Sequence, residues 1–159
     1  MIKILFVCLG NICRSPLAEA LFKHKIKQLK WKQFFYVDSC GTGDYHISSQ
    51  PDPRTIQSAT KHGVEISHAC RQLVKADITN FDYIMAMDKS NLRNILLLSS
   101  TPANQKNVFM VRDFDLMNPG ADVPDPYHGY ERDFQEVFDI LDKALDNFIE
   151  HLKSSHSLE

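Results

Sequence analysis

Ile2-Lys3-Ile4-Leu5-Phe6-Val7-Cys8-Leu9-Gly10-Asn11-Ile12-Cys13-Arg14-Ser15-Pro16 contains three different textures in quick succession. Ile2 to Cys8 is apolar except for one lysine, the pattern of a strand buried on both faces. Gly10-Asn11 breaks that run. Ser15-Pro16 reads as an N-cap followed by proline in a first helical turn. Beyond it, Leu17 to Lys30 repeats at helical spacing, with Leu17, Leu21, Phe22, Ile26 and Leu29 on a broad apolar face. The stretch therefore predicts strand, short loop, helix.

A loop that enters a helix N-terminus points several backbone N–H groups at one place, and the helix dipole adds positive character there. Gly10 allows close backbone approach, and Asn11 tolerates a left-handed conformation. Arg14 can grip two oxygens of a phosphate with its planar fork. Such a cradle also favours a thiolate, the nucleophilic form of cysteine, which makes Cys8 a candidate nucleophile. The plain alternative is an inert thiol closing a buried strand. A cysteine, five residues, an arginine and a serine meeting at one strand-to-helix turn favour catalysis. No Gly-Lys-Ser/Thr ends the loop, which disfavours nucleoside triphosphates. For Cys13 two readings stand: simple packing, or a reversible disulfide with Cys8 that guards against over-oxidation.

Outward from this stretch, strands are expected at Phe34–Asp38, Phe81–Met87 and Asn107–Val111. Helices are expected at Pro53–His62, ended by Gly63, and at Ser90–Leu98. Met117–Tyr130 is rich in Pro, Gly and Asp and reads as a loop. Phe134, Val137, Phe138, Leu141, Leu145, Phe148 and Leu152 mark one face of a last helix. Alternating strands and helices imply an α/β domain with a parallel sheet, whose ligands bind beyond the carboxyl ends of the strands. Cys8, the Ser39 region, Asp88 and the loop after Val111 all fall at such ends.

The 159 residues fit one domain, expected over 1–153, with 154–159 a frayed tail. A chain 43% hydrophobic and 24% charged reads as globular. A net charge of -2 gives no basic field for nucleic acid. No apolar run approaches the roughly 20 residues of a membrane helix, and Ile4–Leu9 is too short for a signal peptide's core. The cytoplasm is the default, with Cys8, Cys13, Cys40 and Cys70 as reduced thiols. Cysteine spacing and scattered histidines suggest no metal set. A phosphate-cleaving site would also need a carboxylic acid to protonate the leaving group. Asp113, Asp115, Asp122 and Asp125 all qualify, and each is also an ordinary turn residue.

The stretch Val7 to Pro16 resembles the signature of the low-molecular-weight protein tyrosine phosphatases. The resemblance continues through Asp38-Ser39, Pro51-Asp52, His68, Arg71-Gln72, Asp82-Tyr83-Ile84, Met87-Asp88, Ser90-Asn91-Leu92 and Asp125-Pro126-Tyr127. It implies a four-stranded parallel sheet in the order 2-1-3-4, flanked by helices in three layers. It also implies hydrolysis of phosphotyrosine or small aryl phosphates through a cysteinyl phosphate, with no metal and no cofactor. By resemblance Cys8 is the nucleophile, and Leu9, Gly10, Asn11, Ile12, Cys13, Arg14 and Ser15 form the phosphate loop. Asp125 is selected as the acid, since Asp-Pro-aromatic carries that role in the family. Ser15 would assist departure of Cys8, and Asn11, Ser39 and His68 would hold the loop's shape. Tyr45 and Tyr127 would wall the substrate ring. His128 departs from the family's frequent second aromatic, which bears on rim specificity.

Three rivals follow from the same residues. An arsenate reductase would need a downstream cysteine pair, and Cys40 and Cys70 do not match one. Arginine phosphatase relatives carry threonine where Ile12 stands. A non-catalytic phosphate-binding or redox module would be expected to lose Cys8, Arg14 or the acid. The expected partner is a tyrosine-phosphorylated protein or small aryl phosphate, met by a monomer without nucleic acid or membrane.

Overall fold

In the computed structural model, which describes residues 1–99 and 101–159, the opening apolar run becomes the middle of a sheet. Strand β1 (Ile2–Cys8) pairs in parallel with β2 (Phe35–Gly41) on one side and β3 (Tyr83–Ala86) on the other. Strand β4 (Val108–Met110) pairs in parallel with β3. The order is β2-β1-β3-β4, as the resemblance implied. A central strand has no solvent face, which is why β1 lacks polar alternation. Ile4, Phe6 and Cys8 enter the core on one side of the sheet, and Leu5 and Val7 enter the core on the other.

Helices α1 (Arg14–Gln28), α2 (Pro53–Lys61) and α6 (Glu131–His156) cover the first side. Helices α3 (Lys75–Asn80) and α4 (Lys89–Leu98) supply Ile78 and Ile95 to the second. Helix α5 (Pro102–Gln105) is a single turn leading to β4. Phe22 of α1 anchors the larger core, edge-on to Phe35 at 5.3 Å and tilted against Phe148 at 5.9 Å. Truncating such a buried ring costs about 3–5 kcal/mol.

Several boundaries differ from expectation. Helix α1 begins at Arg14, with Cys13 at the cap position, so Ser15 lies inside the first turn and is not the N-cap. Its hydroxyl is turned to the loop. Strand β2 runs on to Gly41, because Ser39 and Cys40 still pair with β1 and Gly41 bridges to Gln72. Helix α2 stops at Lys61, one residue short of the expected His62, which caps it, and Gly63 follows the cap at φ 72°. The tail expected to fray from Ser154 is helical through His156. Leu158 packs on the core and the Trp31 indole donates to the Glu159 backbone oxygen at 3.1 Å, which gives that tail apolar and polar anchors. Among the described residues no helix is long and apolar enough to cross a membrane.

Candidate active site

The loop after β1 turns on Asn11, held left-handed at φ 57°. Its carbonyls face away from its centre. Cys8 O accepts from Thr42 N and Leu9 O from Gly43 N, both at 2.9 Å, while Ile12 O accepts from Asp52 N at 2.8 Å. The Cys70 thiol donates to Asn11 O at 2.8 Å. Among the described residues, the N–H groups of Leu9 to Cys13 have no protein acceptor. Outward carbonyls and free inward N–H groups at a helix N-terminus make an anion-binding concavity. Gly41 makes the fit possible: a Cβ there would lie 2.6 Å from Leu9 O.

Cys8 Sγ sits at the base of this concavity, 3.0 Å from Ser15 Oγ. Ser15 Oγ accepts from Asn11 Nδ2 at 2.8 Å and reaches Cys40 O at 3.3 Å. Its single proton can therefore go to the sulfur or to that carbonyl. A thiolate, being charged, is the stronger acceptor.

Asn11 uses its whole amide. Nδ2 donates to Ser15 Oγ and, at 3.0 Å, to Ser39 Oγ. Oδ1 accepts from His68 Nε2 at 2.7 Å and Arg71 N at 3.0 Å. Ser39 Oγ donates to Glu19 Oε1 at 2.7 Å, and His68 Nδ1 faces the same oxygen at 3.1 Å. The four supporting residues named from the sequence are thus one network, extended by Glu19, Asp38 and Arg71. Glu19, Asp38 and His68 bring ligand-type atoms within 4.8 Å of one another. Ser39 and Arg71 already donate into these carboxylates, so the cluster reads as a hydrogen-bonded brace.

Arg14 is buried, with Nη1 donating to Asp88 Oδ2 at 2.7 Å and to Val123 O at 3.0 Å. Burial works against its charge, but Cys8, Asp88 and Asp125 favour it and hold its pKa above the ordinary arginine value. Nη2 faces Asp125 Oδ2 at 3.6 Å. Of the four candidate acids, Asp125 lines the pocket. Asp113 accepts from Met110 N, Asp115 from the Arg112 guanidinium, and Asp122 from Lys89 N. Asp125 Oδ1 accepts from Tyr127 N at 3.1 Å, a turn that leaves the other oxygen toward Arg14.

The pocket has a volume of about 460 Å³, with Tyr45, Tyr127 and His128 around its mouth. His46 also lines it, over Gly10, and the sequence reading missed it because Thr42–Gln50 has no periodic pattern. Arg54 was missed too. It grips Asp52 with Nε at 3.1 Å and Nη2 at 2.9 Å, donates to Tyr127 O at 2.9 Å, and lies 5.6 Å over the Tyr127 ring. Since Asp52 N also holds Ile12 O, α2 ties the Asp125–Tyr127 turn to the loop that follows Cys8. Burial, helped by Asp52, pushes the Cys13 thiol up to about 12, and burial pushes Cys70 up to about 11.

The sequence profile described as low molecular weight phosphotyrosine protein phosphatase matches residues 3–158. A curated relative of that name from Schizosaccharomyces pombe is 40% identical, over 95% of this chain and 97% of its own. A solved protein tyrosine phosphatase from Entamoeba histolytica superposes with a TM-score of 0.93 at 38% identity, covering 98% of this chain and 99% of that one. A solved arginine phosphatase from Drosophila superposes with a TM-score of 0.88 at 31% identity, covering 96% and 98%. With a match along nearly its whole length, this chain belongs to the low molecular weight phosphotyrosine protein phosphatase family.

Proposed function

We propose that this chain hydrolyses phosphotyrosine, on proteins or as small aryl phosphates, through a phosphoryl group carried on Cys8. The observation that carries the reading is the position of Cys8 Sγ. It lies beneath the free N–H groups of the loop, 3.0 Å from the Ser15 hydroxyl, in a pocket that also contains Arg14 and Asp125. Three phosphate oxygens would be held by the loop N–H groups and Arg14, which leaves phosphorus in line with the sulfur.

The sulfur attacks phosphorus, an S–P bond forms, and the aryl P–O bond breaks. Asp125 gives its proton to the departing phenolate oxygen, because a phenol of pKa about 10 leaves poorly as an anion. Water then attacks phosphorus, Asp125 takes a proton from it, and the S–P electron pair returns to Cys8. The Ser15 hydroxyl donates to the thiolate as it leaves. Asn11, Ser39 and His68 keep the loop in shape. Cys13 and Cys70, held as neutral thiols by burial, leave Cys8 as the reacting sulfur.

Tyr45 and Tyr127 suit an aryl ring, which is large, flat and apolar on its faces. The Drosophila relative makes phosphoarginine the second substrate to test. Ile12 in the pocket wall favours tyrosine by offering no hydroxyl to a guanidinium. The enzyme works as a monomer in the cytoplasm, where its four free cysteines stay reduced. The test is a panel of phosphotyrosine, phosphoserine and phosphoarginine peptides. Phosphotyrosine should be cleaved fastest, with no turnover by Cys8→Ser. Preference for phosphoarginine would overturn the substrate, and full activity of Cys8→Ser would overturn the chemistry.

A further inference from the structure

Lys23-His24-Lys25-Ile26-Lys27-Gln28-Leu29-Lys30-Trp31-Lys32 holds five lysines in ten residues, and no acid stands between Glu19 and Asp38. In a chain of net charge -2 this is a sharp local excess. The fold does not neutralise all of it. Lys25 reaches Asp142 and Asp146, and Lys23 reaches Glu19. Among the described residues Lys27 and Lys32 make no ion pair. Together with Lys23 and His24 they rim a groove of about 770 Å³ between α1 and the edge strand β2. Its floor is apolar, from Ile26, Phe35 and Val37, and among the described residues Glu65 is the one acid on its wall. Along β2 the groove lies about 20 Å from the loop of Cys8, at the opposite rim of the sheet.

The groove also exposes strand backbone. Gly41 N donates outward to Arg71 O, and Gly41 O accepts from Leu73 N. The two-residue alternation of a strand turns Ser39, Val37 and Phe35 the same way. Asp38 takes Ser39 N, and Lys32 O takes Phe35 N. The Val37 N–H and the Phe35 and Val37 carbonyls are left facing outward, as at any uncovered sheet edge.

We infer that this groove docks an extended acidic segment of a partner protein, which adds to the edge of β2 and lays its carboxylates among Lys23, Lys27 and Lys32. Added strands supply main-chain bonds while alternate side chains read the walls. A nucleic acid has no donors and acceptors spaced for a strand edge, and a membrane is too flat to enter a concave groove. The site is separate from the chemistry at Cys8, so its test does not depend on turnover.

The experiment measures anisotropy of a labelled peptide of alternating glutamate and valine, with deuterium exchange of the protein amides. The expected result is salt-sensitive binding that is unaffected by vanadate and protects the Val37 amide. Lys27→Glu/Lys32→Glu should weaken binding at least about tenfold, since like charges meet across the groove, with unchanged melting and aryl phosphate hydrolysis. Equal binding by the double variant, displacement by vanadate, or an unprotected Val37 amide would overturn the inference. So would binding of phosphatidylserine vesicles or an oligonucleotide through the same lysines while the peptide fails to bind.

Discussion

Arg14 Nη1 donates to Asp88 Oδ2 at 2.7 Å, a pairing of residues 74 apart in sequence. Asp88 also caps α4 by accepting from Asn91 N at 2.7 Å, so one carboxylate fixes both a helix and the guanidinium. Asp88→Asn keeps a capping oxygen but loses the charge that holds Arg14 in place. The expected outcome is a folded enzyme with kcat/KM lower by on the order of tenfold to a hundredfold and weaker binding of vanadate. Steady-state kinetics and oxyanion titration check it. Unchanged values would show that Val123 O and Asp125 position the fork without Asp88.

Asp125 should matter according to the leaving group. Tyrosine's phenol, with pKa about 10, needs a proton as it departs, and a nitrophenol needs much less help. Asp125→Asn should slow phosphotyrosine cleavage more than nitrophenyl phosphate cleavage, by at least about tenfold in the ratio of rates. Equal slowing on both substrates would mean that another group supplies the proton.

Asn11 combines a left-handed backbone at φ 57° with four side-chain hydrogen bonds. The two contributions can be separated. Asn11→Gly keeps the backbone geometry and loses the amide, at about 1–3 kcal/mol for the orphaned partners. Asn11→Ala should lose about 1–2 kcal/mol more, because a Cβ is strained there. Urea unfolding of the two variants measures the difference. Equal stability would show that the loop changes conformation in the variants.

Burial pushes Cys13 up to about 12 and Cys70 up to about 11, from an ordinary value of 9.0. The native state therefore keeps protons that the unfolded chain releases above pH 9. This contribution is complete below pH 9 and is lost as pH rises toward 11 and 12. The urea midpoint should fall across that window, and more gently in Cys13→Ala. An identical slope in the variant would mean that Cys13 ionises in the folded protein as it does in the unfolded chain.

The strand, loop and helix at the start of the chain were legible because β1 and α1 write their burial directly into residue order. Cys8, Arg14 and Ser15 are close in sequence, so local structure alone brings them to one point. The sheet order and the position of Asp125 beside Arg14 were legible only through resemblance, since crossovers and a loop about 110 residues beyond Ser15 leave no periodic trace. Asp88 was placed at a strand end, yet its bond to Arg14 is a tertiary fact. His46 and Arg54 sit in or beside irregular chain, and their roles arise from packing against Gly10 and Tyr127. The tail was misjudged because its polar residues hide the anchoring of Leu158 and of the Glu159 carbonyl.

The most direct test of the account is whether phosphate passes through Cys8. Asp125→Asn mixed with radiolabelled nitrophenyl phosphate and quenched in acid should carry label, approaching one phosphoryl group per chain. Mass spectrometry of the digest should place it on the Cys8 sulfur, as a cysteinyl phosphate. A burst of nitrophenolate of the same size should precede the steady state. Label on a serine or histidine, or none while turnover continues, would contradict the account.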